Sequence, residues 1–187
     1  MAFSLLIMQN MFNYYGPINE LLVSMGFGRV DFLTNNAMNA RIVVLVVNLW
    51  IGIPYTMLIT SGILMNVPAE LYESAKIDGA SAVQIFFKIT LPYVLFVTAP
   101  YLITQFIGNL NNFNVIFLLT GGAPTTTEYY QAGKTDLLVT WLYKLTVNNY
   151  DYCLASTIGI FSFVVCAVIS LLTYHRTSSY KKEEEFQ

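Results

Sequence analysis

The sequence predicts an all-α polytopic membrane protein, and three observations point to it. Of its 187 residues 56% are hydrophobic and only 11% charged, against about 25% charged in ordinary soluble domains. Three segments, residues 42–65, 93–120 and 154–174, reach the roughly 20 mostly apolar residues that a helix needs to cross a bilayer core about 30 Å thick. Charge bounds each of them: Arg41 and Glu70, Lys88 and Glu128, Asp151 and His175-Arg176.

The opening segment, residues 1–12, is apolar but too short to cross. No basic stretch precedes it, so it makes a poor signal peptide. It runs into Asn13-Tyr14-Tyr15-Gly16-Pro17, which reads as a helix stop at a membrane surface. The expectation is a helix whose start precedes Met1, in a chain that is the C-terminal part of a larger protein. A short interfacial helix is the alternative. The membrane domain is expected over residues 1–174, with residues 175–187 as a solvated tail carrying Lys181-Lys182-Glu183-Glu184-Glu185.

A net charge of −2 gives no footprint for nucleic acid or for an anionic lipid patch. Cys153 and Cys166, 13 positions apart on a helix, stand about 20 Å apart along its axis, too far for a disulfide. Lys and Arg gather on the cytoplasmic side of membrane proteins. Here Lys76, Lys88, Arg176, Lys181 and Lys182 fall on one side and Arg29, Arg41, Lys134 and Lys144 on the other, which sets no orientation. In the long connection over residues 121–152, Leu137, Leu138, Trp141, Leu142 and Leu145 recur at helical spacing. They predict a short amphipathic helix, lying at the interface with Trp141 as anchor or packed on the ends of neighbouring helices.

Residues 68–92 form a polar hinge between two spans. Pro68 suits a first helical turn, Ala69 to Ile77 tolerate a helix, and Gly79 supplies a left-handed stop. Leu71, Tyr72 and Ala75 then share one face, with Glu70, Glu73 and Lys76 over the remainder. Such a knob fits a groove on a soluble partner, and the small Ala75 permits close approach. Leu91-Pro92 closes the second half of the hinge.

Polar side chains inside a bilayer need partners or water. Gln105, Asn109, Asn111, Asn112 and Asn114 crowd the second span, and Gln105, Asn109 and Asn112 fall at i, i+4 and i+7, on one helical face. Asn48, Gly52 and Tyr55 repeat that spacing in the first span, beside Trp50 and Pro54. Paired amide donors and acceptors with aromatic surface suit a neutral polyhydroxyl ligand; interhelical hydrogen bonding is the competing use of the same amides. No span interior holds Asp, Glu, Lys, Arg or His, which argues against a proton relay or voltage sensor. Ala132-Gly133-Lys134-Thr135 imitates the end of a phosphate-binding loop, but the glycine required five residues before Gly133 is Glu128. No catalytic set, metal set or cofactor motif is present in the sequence, so the chain is expected not to be an enzyme.

Two groups of residues carry a family resemblance. Glu73, Ala75, Gly79, Ile89, Leu91 and Pro92, at their spacing, resemble the signature loop of ATP-binding-cassette importer permeases, with Ser74 where that loop has Ala. The stretches Asn48-Leu49-Trp50-Ile51-Gly52-Ile53-Pro54-Tyr55, Gly108-Asn109-Leu110-Asn111-Asn112-Phe113, Leu118-Leu119-Thr120-Gly121-Gly122-Ala123-Pro124, Thr125-Thr126-Thr127 and Thr135-Asp136-Leu137-Leu138-Val139 are similar to the larger permease subunits of maltose/maltodextrin importers.

The resemblance implies an importer-permease helical bundle, N-terminally truncated, with three complete spans, one partial helix and a cytoplasmic coupling helix. The protein would be multi-pass in the inner or plasma membrane. It implies coupling to a separate ATPase through Glu73, Ser74, Ala75, Gly79, Ile89, Leu91 and Pro92, and contact with an oligosaccharide through Ile51, Gly52, Tyr55, Gln105, Gly108, Asn109 and Asn112. It further implies a second permease subunit, two ATPase subunits and an extracellular solute-binding protein as partners. Gln105 replaces a small hydroxyl residue and Gly108 an aromatic one, which implies a roomier pocket or a different sugar. An inactive truncated permease remnant, and a carrier or channel without ATP coupling, stand as alternatives.

Overall fold

The computed structural model of the chain describes residues 2–176, so most of the expected tail, with Lys181 and Lys182, lies outside the described residues. The elements are α1 (Ala2–Met11), α2 (Pro17–Ser24), α3 (Ala37–Leu64), α4 (Ala69–Ile77), α5 (Ala82–Ile85), a π-helical turn (Phe86–Thr90), α6 (Leu91–Leu110), α7 (Phe113–Leu119), α8 (Leu138–Val147) and α9 (Tyr152–Arg176). No strand occurs among the described residues. Among the described residues three helical stretches are long and apolar enough to cross a membrane: Ala37–Leu64, Ala82–Leu119 and Tyr152–Tyr174.

The described residues divide into two compact units, residues 2–51 with 108–166 and residues 52–107 with 167–176. In the first, Leu5 of α1, Leu33, Val43 and Val47 of α3, and Val115 and Leu119 of α7 form the core, with Phe12, Phe32 and Ile51 packed against it. Gly16 caps α2 and Pro17 opens it, where the missing N–H costs nothing. The Gly-Pro pair therefore starts a helix, α1 having already ended at Met11. A Cβ on Gly16 would lie 2.3 Å from the Asn10 carbonyl oxygen, so the tight approach of the chain requires glycine. Fully buried Asn19 of α2 donates to the carbonyls of Asn13 and Val30 and accepts from the Val30 N–H, fixing the loop that leads to α3.

The short helix expected within the long connection is α8. Leu145, Trp141 and Leu142 pack with Ala155, Ile158 and Leu154 of α9, so α8 lies on the end of a neighbouring helix. Trp141 Nε1 donates to the Tyr130 carbonyl at 3.0 Å.

In the second unit α4 follows the expected bounds, with Pro68 just outside it as cap and Gly79 at φ +73°. Ala75 is buried within its own chain, so the outward apolar surface is carried instead by Leu71, Ile77, Val83, Phe86 and Phe87. Ser81 and Gln84 cap each other's backbone, which starts the next helix well before residue 93. Leu91-Pro92 therefore does not end an element. Pro92 lacks the N–H that an α-helix would direct to the Lys88 carbonyl, and its ring would crowd that oxygen. The wider π turn over Phe86–Thr90 relieves this within a continuous helix.

Candidate functional site: an amide node at a helix break

The second span was expected to be continuous, but α6 ends at Leu110 and α7 begins at Phe113. The asparagines between them explain the break, because short amides compete with helical backbone bonding and favour caps and turns. Asn112 has φ −77° and ψ 79°, and its side-chain oxygen accepts from the Val115 N–H, capping α7. Its dihedrals, with the Phe113 N–H donating to the Asn111 carbonyl at 2.8 Å, describe an inverse γ-turn. Asn112 thus leaves the helical face on which its spacing placed it with Gln105 and Asn109.

The break is a hub within the first unit. Asn48 of α3 donates through Nδ2 to Asn109 Oδ1 at 2.8 Å and accepts at Oδ1 from Asn112 Nδ2 at 2.9 Å. Asn111 turns to α9, accepting at Oδ1 from Ser162 Oγ at 3.2 Å and donating through Nδ2 to Cys166 Sγ at 3.1 Å. Interhelical bonds of this kind contribute about 0.6 kcal/mol each on average in membrane proteins, with maxima near 2. Two of the expected ligand residues, Asn109 and Asn112, are therefore joined through Asn48. Ile51 packs against the apolar core, and nothing lies within 4 Å of where a Cβ on Gly108 would stand.

The second unit holds Gly52, Tyr55 and Gln105. The Tyr55 and Tyr101 rings lie 6.2 Å apart, and Thr56 Oγ1 is 3.0 Å from Tyr101 Oη. Thr56 directs its single proton to the Gly52 carbonyl, so the Tyr101 hydroxyl is the donor to Thr56. Thr56 and Tyr101 join the candidate set from the structure. Tyr101 had a signal, since it precedes Gln105 by one helical turn.

The connection after α7 is strapped down within the first unit. Gly122, at φ +85° beside the cis Ala123-Pro124 bond, has no room for a side chain: a Cβ would lie 2.1 Å from Asp136 Oδ1 and 2.3 Å from Lys144 Nζ. Asp136 Oδ2 accepts from Lys144 Nζ at 2.6 Å and from the Gly133 N–H at 2.7 Å. Thr135 donates to the Ala123 carbonyl and Arg41 to the Lys134 carbonyl. The Gly133-Lys134-Thr135 stretch is thus part of this strap.

Apolar helices of spanning length, one of them broken at a polar hub, define a polytopic helical membrane protein. Residues 2–179 match the family described as the inner membrane component of binding-protein-dependent transport systems, and the chain belongs to that family. It is 40% identical over 182 residues to the galactooligosaccharides transport system permease protein GanP of Bacillus subtilis, covering 96% of this chain and 43% of GanP. The maltodextrin permease MdxF of the same organism is 35% identical, covering 94% of this chain and 42% of MdxF. The maltose/maltodextrin permease MalF of Vibrio parahaemolyticus is 38% identical, covering 93% and 34%. The chain thus spans less than half the length of these relatives. Among solved structures, a bacterial ABC transporter that imports the acidic polysaccharide alginate matches with a TM-score of 0.79 at 27% identity, covering 95% of this chain and 60% of that one.

Proposed function

We propose that the chain forms part of the membrane path of an ATP-driven oligosaccharide importer and couples, through residues 68–92, to a separate ATPase subunit. The observation that carries this reading is its 40% identity, over nearly its whole length, to a galactooligosaccharide permease. The chemistry agrees: the span interiors offer amides, tyrosines and threonine and serine hydroxyls but no Asp, Glu, Lys, Arg or His, which suits a neutral polyhydroxyl solute. Ile51, Gly52, Tyr55, Gln105, Gly108, Asn109 and Asn112 are the proposed sugar contacts. A second permease, two ATPases and an extracellular binding protein are the proposed partners. In this reading closure of the ATPases moves α4, and the spans expose the sugar contacts alternately.

The test replaces Glu73 or Gly79 in the membrane-inserted protein assembled with its ATPase. Loss of sugar-stimulated ATP hydrolysis with normal insertion is expected. Retained uptake together with retained ATPase assembly would sink the coupling role, and uptake that persists without any ATPase would identify an uncoupled carrier.

A further inference from the structure

We propose that Asn111 is a positioning residue: it ties α9, through Ser162 and Cys166, to the break between α6 and α7, so that Asn109 and Asn112 keep their bonds to Asn48. Its consequence for transport rests on the function proposed above; its geometry does not. Ser162 and Cys166 are one helical turn apart on α9 and share a face, and the two ends of the Asn111 amide address one each, at 3.2 and 3.1 Å. The same face continues toward the start of α9 as Ala155 and Ile158, packed on Leu145 of α8. There Gly159 lets α8 approach, since its Cβ would stand 3.3 Å from Leu142 Cδ1.

Apolar contact fixes that end of α9 but is non-directional, and lipid tails compete for it. At the depth of the break, register therefore falls to the directional pair made by Asn111. The break itself does not need this side chain. The turn uses the Asn111 backbone carbonyl and the cap uses Asn112, so removing the Asn111 amide releases α9 without removing the break.

The experiment uses the full chain in lipid nanodiscs, with Cys153→Ser leaving Cys166 as its sole thiol. The infrared S–H stretching band of Cys166 reports the hydrogen bond from Asn111. Asn111→Ala is expected to shift it, while Leu172→Ala, at an exposed position of α9, leaves it in place. An unmoved band in Asn111→Ala overturns the proposal.

The second arm measures uptake of radiolabelled maltotriose by the assembled transporter. Cys166→Ala is expected to raise KM about threefold, the factor that one average interhelical bond carries, and Asn111→Ala, which loses the Ser162 bond as well, roughly eightfold. Cys166→Ser, which restores an acceptor at a similar size, should return the parental value, and the double variant Asn111→Ala/Cys166→Ala should be no worse than Asn111→Ala alone. Equal KM in Cys166→Ala and Cys166→Ser, at equal amounts of inserted protein, overturns the positioning role. If the parent takes up no maltotriose, that sugar is excluded as its substrate, and the S–H band still decides whether Asn111 holds Cys166.

Discussion

Asn112 does two things with one side chain, and this separates it from Asn109. Its oxygen caps α7 and its amide nitrogen donates to Asn48. Replacing it with Leu removes a cap worth about 1 kcal/mol and strips the Asn48 oxygen of a donor. Asn112→Leu should therefore lower the melting temperature of the solubilised protein more than Asn112→Asp, which keeps the capping acceptor. Equal losses would show that the cap contributes nothing. If Asn109 also contacts sugar, Asn109→Leu should weaken affinity by about 1–3 kcal/mol, roughly five- to more than a hundredfold. Uptake at limiting sugar, with expression unchanged, measures it.

Outside the membrane, burial raises the pKa of Asp31, but bonds from the Thr34 hydroxyl and N–H, the Asn35 amide and the Leu33 N–H outweigh it and hold the carboxyl at about 2. A depressed carboxyl pKa stabilises the fold above its ordinary value, 3.8, and the contribution disappears as pH falls through about 2. Asp31→Asn should be less stable than the parent at pH 7, with the gap closing below pH 4 in a pH series of thermal melts. Gly122→Ala combines a positive φ with a steric clash against Asp136 and should cost about 1–3 kcal/mol, whereas Gly28, with open space around it, should tolerate Ala.

Among the elements, the segment over residues 68–92 is built from devices that work independently of the core. Gly79 ends α4 and the Ser81–Gln84 capping box starts α5, so the chain turns sharply between two helices. Ser81→Ala should cost about 0.5–2 kcal/mol locally. Hydrogen exchange should then quicken over residues 81–86 while the amides of α7 and α8 hold their rates; acceleration throughout would mean that the segment unfolds with the whole chain. The π turn before Pro92 keeps a proline inside a helix that remains continuous, at the point where the polar hinge passes into the span.

For the whole molecule, the first unit holds two separate apolar clusters, one around Leu5 and Leu119 and the other around Leu145. Leu119→Ala and Leu145→Ala should each cost about 2–5 kcal/mol, the usual range for emptying a filled core position. Because the clusters share no residue, the two losses should add within about 0.5 kcal/mol. A large coupling energy in denaturant titrations of the double variant would show that one continuous core holds the unit. Much apolar surface remains uncovered, with Leu58 at 71% and Phe163 at 72% exposed, as expected where bilayer or other membrane subunits supply the missing contacts.

Length and composition by themselves marked three stretches as able to cross a membrane, because hydrocarbon tolerates a chain only when long apolar runs satisfy their backbone as helices. Local spacing likewise set the helix over Ala69–Ile77, its stop at Gly79 and the amphipathic helix around Trp141, since propensity, capping and periodicity act over a few residues. The second span shows where that reach ends. Periodicity drew Gln105, Asn109 and Asn112 along one helix, whereas Asn112 left it to cap α7 and meet Asn48, a residue distant in sequence. Nor does spacing reveal that Asn111 would find Ser162 and Cys166, that Asn19 would be buried, or that Ala75 would pack against its own chain. Those outcomes depend on which helices become neighbours, and a polar side chain chooses its partner only when packing brings one within about 3 Å.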